Sequence, residues 1–414
     1  MQFSFKSISY VALASLVVLG TACSDDNNDP TPTTCPTVTI PEDAINLSAD
    51  ETANCYIAAP GSVITFSTKY KGNSTTLKTG NVAGVKLVWA DTRGLVKELQ
   101  YAADDCQAIA WLDDLEGNAV VAATDADGKT LWSWHLWVTD FDPEADAFTT
   151  PANANGTTWT FMNRNLGALS ATPADGFDTH GLIYQWGRKD PFPAPTTFTE
   201  LDENYNYVGG KDGEATLYDI EGNRLASIGS MTQFHGTVDL SIANPITYYA
   251  MTYIHTGEMD EYDEEIVLND PLTGDWTSPS DDDLWGGISF KKSIYDPCPP
   301  GWKVPVCDAD GATPYDWLQY ASMTWDNTNH GATQDGQWFP ATGTRVYVSG
   351  GCEYAEANPY SGLWIGTAGK ASANLELYPT LYGQYMFIVD GKRTFKVNKD
   401  RRSQGMSLRA VADK

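Results

Sequence analysis

GNAVVAATDADGKTLWSWHLWVTD, running from Gly117 to Asp140, decides how the first part of this chain is read. Two apolar runs flank Asp125-Ala126-Asp127-Gly128, where the acidic side chains can hydrogen-bond the turn backbone and Gly128 can take positive φ. In the second run Trp132, Trp134, Leu136 and Val138 share one strand face, while Leu131, Ser133, His135 and Trp137 share the other. The pattern predicts a β-hairpin buried on one whole face. DADG also carries the first donors of a calcium loop, but the later oxygen ligands and closing glutamate are missing, so a turn is expected. His135 is expected as a packed strand residue, because no second histidine or cysteine stands at ligand spacing.

The neighbouring text has the same character. SVITFSTKY, GVKLVWAD, KELQYAA and CQAIAWLDD are short, rich in β-branched and aromatic residues, and broken by Gly, Asn and Asp. Residues 35–141 therefore read as an antiparallel β-sandwich of the immunoglobulin-like kind, with about seven strands. Residues 142–156 hold few bulky apolar side chains and read as a linker. From 157 to 414 isolated aromatics stand among Gly, Pro, Asn and Asp, which predicts a loop-rich α+β module packed by large rings, in a chain that is mainly β. One helix start is expected at Thr313-Pro314-Tyr315-Asp316, where a threonine cap, a proline at the first helical position and an aspartate three residues after the cap precede Trp317 and Leu318.

The chain opens MQFSFKSISYVALASLVVLGTAC. One lysine, an apolar run far shorter than the roughly 20 residues of a membrane-spanning helix, and small residues before Cys23 mark residues 1–22 as a secretory signal. LGTAC resembles a bacterial lipobox, so Cys23 is expected as the lipidated first residue, the only link to a membrane. SDDNNDPTPTT follows, and residues 23–34 read as an acidic flexible tether, similar to the signal that carries lipoproteins of the Bacteroidota to the outer face of the outer membrane. The formal net charge of −28 repels phosphate backbones, which excludes nucleic acid as a natural partner and suits a surface protein.

YDPCPPGWKVPVCDADG, Tyr295 to Gly311, sets Cys298 and Cys307 around a Pro-Pro-Gly-Trp turn. Eight intervening residues do not make a redox motif, and no histidine adjoins either thiol, so a structural marker is expected: a rigid turn with Trp302 in the core. Cys35, Cys55, Cys106 and Cys352 complete the set after Cys23, and six cysteines allow fifteen disulfide connectivities.

Four pieces of the second part, in order, carry a resemblance: TTWTFMNRNLGA (157–168), GLIYQWGRKDPFP (181–193) with Trp186, YDPCPPGWKVP (295–305), and GLWIGTAG (362–369) with QGMSLRAV (404–411). They resemble the Fibrobacter succinogenes major paralogous domain of secreted and surface lipoproteins. That family is similar in its central and closing motifs to C-type-lectin-like and formylglycine-generating-enzyme folds. The resemblance implies a compact mixed fold with loops carried on a small twisted sheet, and it sets residues 201–270 apart as an insertion. SLRAV has Ala410 where many relatives carry the late cysteine, so Cys298 lacks its usual partner; Cys307 or Cys352 is expected to replace it, in a bridge within this trio.

Five histidines at 135, 180, 235, 255 and 330 form no close pair, so no metal site is expected. Calcium-dependent sugar binding suits lectin-like folds, but the signatures are missing: EANP (356–359) and WDN (325–327) are permuted, and Asp281-Asp282-Asp283 reads as a solvated loop. No cofactor is implied. Among 14 tryptophans, 21 tyrosines and 14 phenylalanines, those with polar neighbours in loop-like text are the candidates for a ligand surface: Tyr205, Tyr207, Tyr354, Tyr360 and Trp364. The expected function is non-enzymatic recognition or adhesion, with a glycan or an extracellular protein as ligand. A fimbrial tip or anchor subunit partnered by pilus subunits is the structural alternative, and an enzyme of the formylglycine-generating type, needing a reactive cysteine pair, is the third.

Overall fold

Alternating apolar residues build two four-stranded sheets in the first part of the chain. One runs in the order Ile45–Asn46, Val63–Ser67, Gln107–Leu112, Val96–Ala102; the other in the order Cys55–Ala58, Thr130–Val138, Gly117–Thr124, Gly84–Ala90. This computed structural model describes residues 38–198, 215–226, 229–231, 236–250, 253–259, 265–269, 274–318, 322–347, 349–354, 359–369, 382–389 and 397–413. The signal, the tether, Cys23, Cys35, Tyr205 and Tyr207 lie outside the described residues. Ile64, Phe66, Ala108, Ala110 and Leu112 of the first sheet meet Tyr56, Val121, Trp132, Trp134 and Leu136 of the second in one core. The sandwich differs from the antiparallel expectation at its edges, where the two N-terminal strands pair in parallel, Ile45 with Ile64 and Cys55 with His135.

The hairpin turn forms as its residues dictate. Asp125 Oδ1 accepts from the amides of Asp127 and Lys129 at 3.1 and 2.9 Å, and Gly128 sits at φ 78°. The burial expectation is corrected: Gly117–Thr124 is buried at every position, and Thr130–Val138 at all but one. Its second face is covered by the rest of the chain. Cys55, Trp89, Val120 and Trp137 of the sandwich share a core with Met162, Leu166, Tyr184, Trp186, Cys298, Trp302 and Trp364. Each large ring buried there removes some 150–250 Å² from water, roughly 4–6 kcal/mol of hydrophobic driving force.

The second part is built on a sheet ordered Phe192–Pro193, Leu182–Gln185, Gly405–Ser407, Tyr360–Gly369, Tyr382–Val389, Val397–Arg401, with Thr344–Arg345 and Cys352–Glu353 attached beside Gly405. The stretch read as a linker is partly built into this region: Phe148–Thr149 pairs with Thr160–Phe161, and Phe148 stacks on Phe161 at 5.6 Å between ring centres. The expected helix at Thr313 is a single capped turn. The amide of Tyr315 donates to Thr313 Oγ1 and that of Thr313 to Asp316 Oδ2, but Tyr315 and Leu318 plug the core beneath the sheet. Residues within 215–250 brace the sandwich. Tyr218 exchanges backbone hydrogen bonds with Ala90 at the sandwich edge, and the helix Val238–Ala243 sends Ile242 into the sandwich core.

Four fully buried arginines tie backbone carbonyls and carboxylates into this frame. Arg188 donates to the carbonyls of Thr247 and Pro245 at 2.6 and 2.9 Å and lies over Phe192; Arg345 donates to those of Pro193 and Gly350. Arg409 reaches the Trp338 carbonyl at 2.7 Å. Arg402 lies over Trp186, pairs with Asp275 at 3.1 Å and bonds Asp282, so the triple-aspartate run is an anchored loop rather than a merely solvated one. Guanidinium suits this role because its five donors in a fixed fork can satisfy several carbonyls at once in a dry interior.

Candidate functional site

At one edge of the second part, four separate loops bring five rings together. Phe177 comes from the 3₁₀ segment Pro173–Thr179, His180 follows it, Phe198 comes from the loop after Phe192–Pro193, His330 from the turn after Thr324–Asp326, and Tyr354 from the end of Cys352–Glu353. Tyr354 stacks on Phe198 with centroids 4.7 Å apart and meets His180 and Phe177 edge-on at 5.3 and 6.0 Å. His330 packs edge-on against Phe198 at 5.0 Å. Tyr354 and His180 are buried, whereas Phe177, Phe198 and His330 are partly exposed. The floor is therefore fixed and the upper rings present surface to solvent.

Two glycines allow this approach. A Cβ on Gly343, at φ 68°, would lie 2.6 Å from the Glu353 carbonyl and 2.8 Å from Tyr354 Cβ, so only glycine lets Tyr354 seat. Gly181, at φ 74°, has the Leu166 carbonyl where a Cβ would be and turns the chain directly after His180. Burial pushes His180 down to about 4, against the favourable pull of the Pro195 carbonyl and with help from nearby His330. Asp326 beside the cluster is held below the usual carboxylate range by the side chain and amide of Asn329. The WDN aspartate is thus spent on a turn, accepting from Thr328 N, Asn329 N and Asn329 Nδ2 at 2.7–3.0 Å. Chemically the cluster offers apolar ring faces above the buried, neutral imidazole of His180, which suits stacking against a ring or an apolar side chain.

Tyr354 is the one described candidate that belongs to this cluster, and it forms the floor rather than an exposed platform. Tyr360 is half-buried, its hydroxyl 3.2 Å from Thr344 Oγ1. Trp364 is corrected outright: it is fully buried, donates from Nε1 to the Tyr184 carbonyl at 2.8 Å and packs edge-on against Tyr385. A ten-residue strand through the sheet centre turns it inward. Trp186 and Trp302 are both buried in the core shared by the two parts. Phe177, His180, Phe198 and His330 escape a sequence reading because no spacing or motif connects them.

The cysteine trio is not bridged. Cys298 lies in the core shared by both halves, Cys307 in the core beneath the sheet, and Cys352 on a short strand opposite Arg345. Burial raises the thiols of Cys55 and Cys298, the direction opposite to an activated nucleophile. His135 is packed as expected, its Nε2 2.9 Å from Asn118 Oδ1. Among the described residues no group of three or more metal-ligating side chains comes together. Comparisons with protein-family models, curated proteins and solved structures gave no match.

Proposed function

We propose that this chain is a surface-exposed outer-membrane lipoprotein that recognises a glycan or an extracellular protein without catalysing a reaction. In this reading an immunoglobulin-like sandwich on a lipid tether carries a C-type-lectin-like module of the Fibrobacter succinogenes major paralogous kind. The observation that carries the proposal is the half-open ring cluster: Phe177, Phe198 and His330 present faces above a fixed floor of Tyr354 and His180. Rigid rings already held in place lose little conformational freedom when a ligand docks.

A glycan and extracellular-protein array probed with the chain, with calcium and with a chelator, tests this. A specific, chelator-insensitive signal lost in both Phe177→Ala and Phe198→Ala is expected. A signal abolished by the chelator would replace the ring surface with a calcium-bridged one, and a signal indifferent to both substitutions would move the site elsewhere.

One observation favours the assembly reading as the second choice. Cys55–Ala58 matches the strand Thr130–Val138 only from His135 to Val138, so the strand's first half has no ladder partner on that side among the described residues, although Lys189 Nζ holds the Ser133 carbonyl there at 3.1 Å and an incoming strand would have to displace it. A fimbrial tip or anchor subunit would use such an edge to take a strand from a pilus subunit. Copurification with pilus subunits would support it, and a monomeric chain in cells that assemble pili would count against it.

A further inference from the structure

Cys55 and Cys298 lie far apart in sequence but are fully buried in the same core, one on the edge strand of the sandwich and one at the head of the Pro-Pro-Gly-Trp turn. The segments that carry them are pinned together before and after Cys298. Asn54 Nδ2 donates to the carbonyls of Ile294 and Asp296, each at 2.8 Å. Asp296 then accepts from the amides of Cys298 and Val304 at 2.9 and 2.8 Å. On the other side Glu51 Oε2 accepts from the Gly301 amide at 2.8 Å, while Lys292 Nζ reaches Glu51 and the Pro299 carbonyl. Tyr184, whose buried hydroxyl has no hydrogen-bond partner, lies in the same core as both cysteines. The other described cysteines stand elsewhere: Cys106 in a turn of the sandwich, Cys307 beneath the sheet, Cys352 on its strand.

Both residues are thiols in this structure. We propose that Cys55 and Cys298 are the site of an oxidative modification, a disulfide that covalently fastens the sandwich to the Pro-Pro-Gly-Trp turn. The step is thiol–disulfide exchange with an oxidised disulfide carrier. One thiolate attacks a carrier sulfur and forms a mixed disulfide, and the second thiolate displaces the carrier. One S–S bond forms, the carrier's S–S bond becomes two thiols, and two electrons and two protons leave the cysteine pair. Because the closed core shields both thiols and disfavours the thiolate, exchange takes place before that shared core closes. The bond then resists reduction until the protein unfolds. This inference is independent of any ligand, and its test does not require export.

The full chain is reduced and unfolded, refolded with reduced and oxidised glutathione, then unfolded again with a thiol-alkylating reagent and no reductant. Peptide mapping is expected to show the Cys55 peptide joined to the Cys298 peptide, with neither cysteine alkylated. Alkylation of both, or a link from either to a different cysteine, would overturn the proposal. In Cys55→Ala, Cys298 is expected to become fully alkylated. Reductant is expected to lower the unfolding midpoint of the refolded parent chain, and an unchanged midpoint would also count against the bond.

Discussion

Ser133 and Asp190 meet in the dry junction between sandwich and second part, Ser133 Oγ donating to Asp190 Oδ1 at 2.6 Å. Lys189 Nζ donates to the same carboxylate oxygen at 2.6 Å and to Ser133 Oγ at 2.5 Å, and lies 4.7 Å from the centre of the Trp132 ring. Both charged side chains are almost completely buried. The polar face of the Trp-rich strand is therefore an internal contact surface rather than a solvent face.

Asp190→Ala would strand a buried ammonium beside Trp132. The expected loss is about 3–5 kcal/mol of unfolding free energy, because the cost of burying Lys189 stays while its counter-charge goes. Urea denaturation measures it, with Lys189→Met plus Asp190→Leu as the control expected to recover most of the loss. A loss under about 1 kcal/mol for Asp190→Ala would mean that water reaches the lysine.

The shared core also fixes how the molecule comes apart. With Trp137 and Cys55 packed among Trp186, Trp302 and Trp364, and Asn118 Nδ2 bonded to both Asp91 and the Gly167 carbonyl, neither half can open without exposing the other. One unfolding transition is expected, with tryptophan fluorescence and backbone circular dichroism superimposing across urea. Two separated transitions would show that the sandwich folds as an independent stalk.

What the sequence made legible was local. The Asp125–Gly128 turn follows from the residues it contains, and the inward face of Thr130–Val138 follows from period-two alternation. The outward face was misjudged because its partners, Lys189 and Asp190, stand more than fifty residues further along the chain. Thr313 shows the converse: correct capping residues give only a turn where Tyr315 is drawn into a core, so tertiary packing overrides the local signal. The ring cluster is illegible in the sequence because four loops contribute one or two residues each, and Tyr354 stands out there by its polar neighbours rather than by its contacts.

Trp364 and Phe198 separate framework from surface. Trp364→Ala removes a fully buried ring and its hydrogen bond to the Tyr184 carbonyl, so a loss of about 3–5 kcal/mol is expected. Phe198→Ala removes a partly exposed ring, and about 1 kcal/mol or less is expected, with array binding lost. Equal destabilisation by the two would place Phe198 in the framework and withdraw it from the site.

His135 should make the stability of the junction depend on pH in a definite direction. Its Nε2 faces the Asn118 carbonyl oxygen, Oδ1, at 2.9 Å, so the proton belongs on Nε2, and buried Nδ1 has no partner. Protonating Nδ1 would bury a charge, and burial accordingly pushes His135 from its ordinary 6.5 down to about 3. Between those values the unfolded chain binds a proton that the folded chain refuses, so stability falls as pH falls through that window. His135→Gln can keep the hydrogen bond to Asn118 without the titration. Relative to this variant, the parent chain is expected to lose about 1.4 kcal/mol per pH unit below about pH 6.5, with no pH-dependent difference above it. Urea midpoints of the two proteins from about pH 7.5 to about pH 4.5 read this directly, and parallel curves would mean that His135 takes up its proton in the folded state.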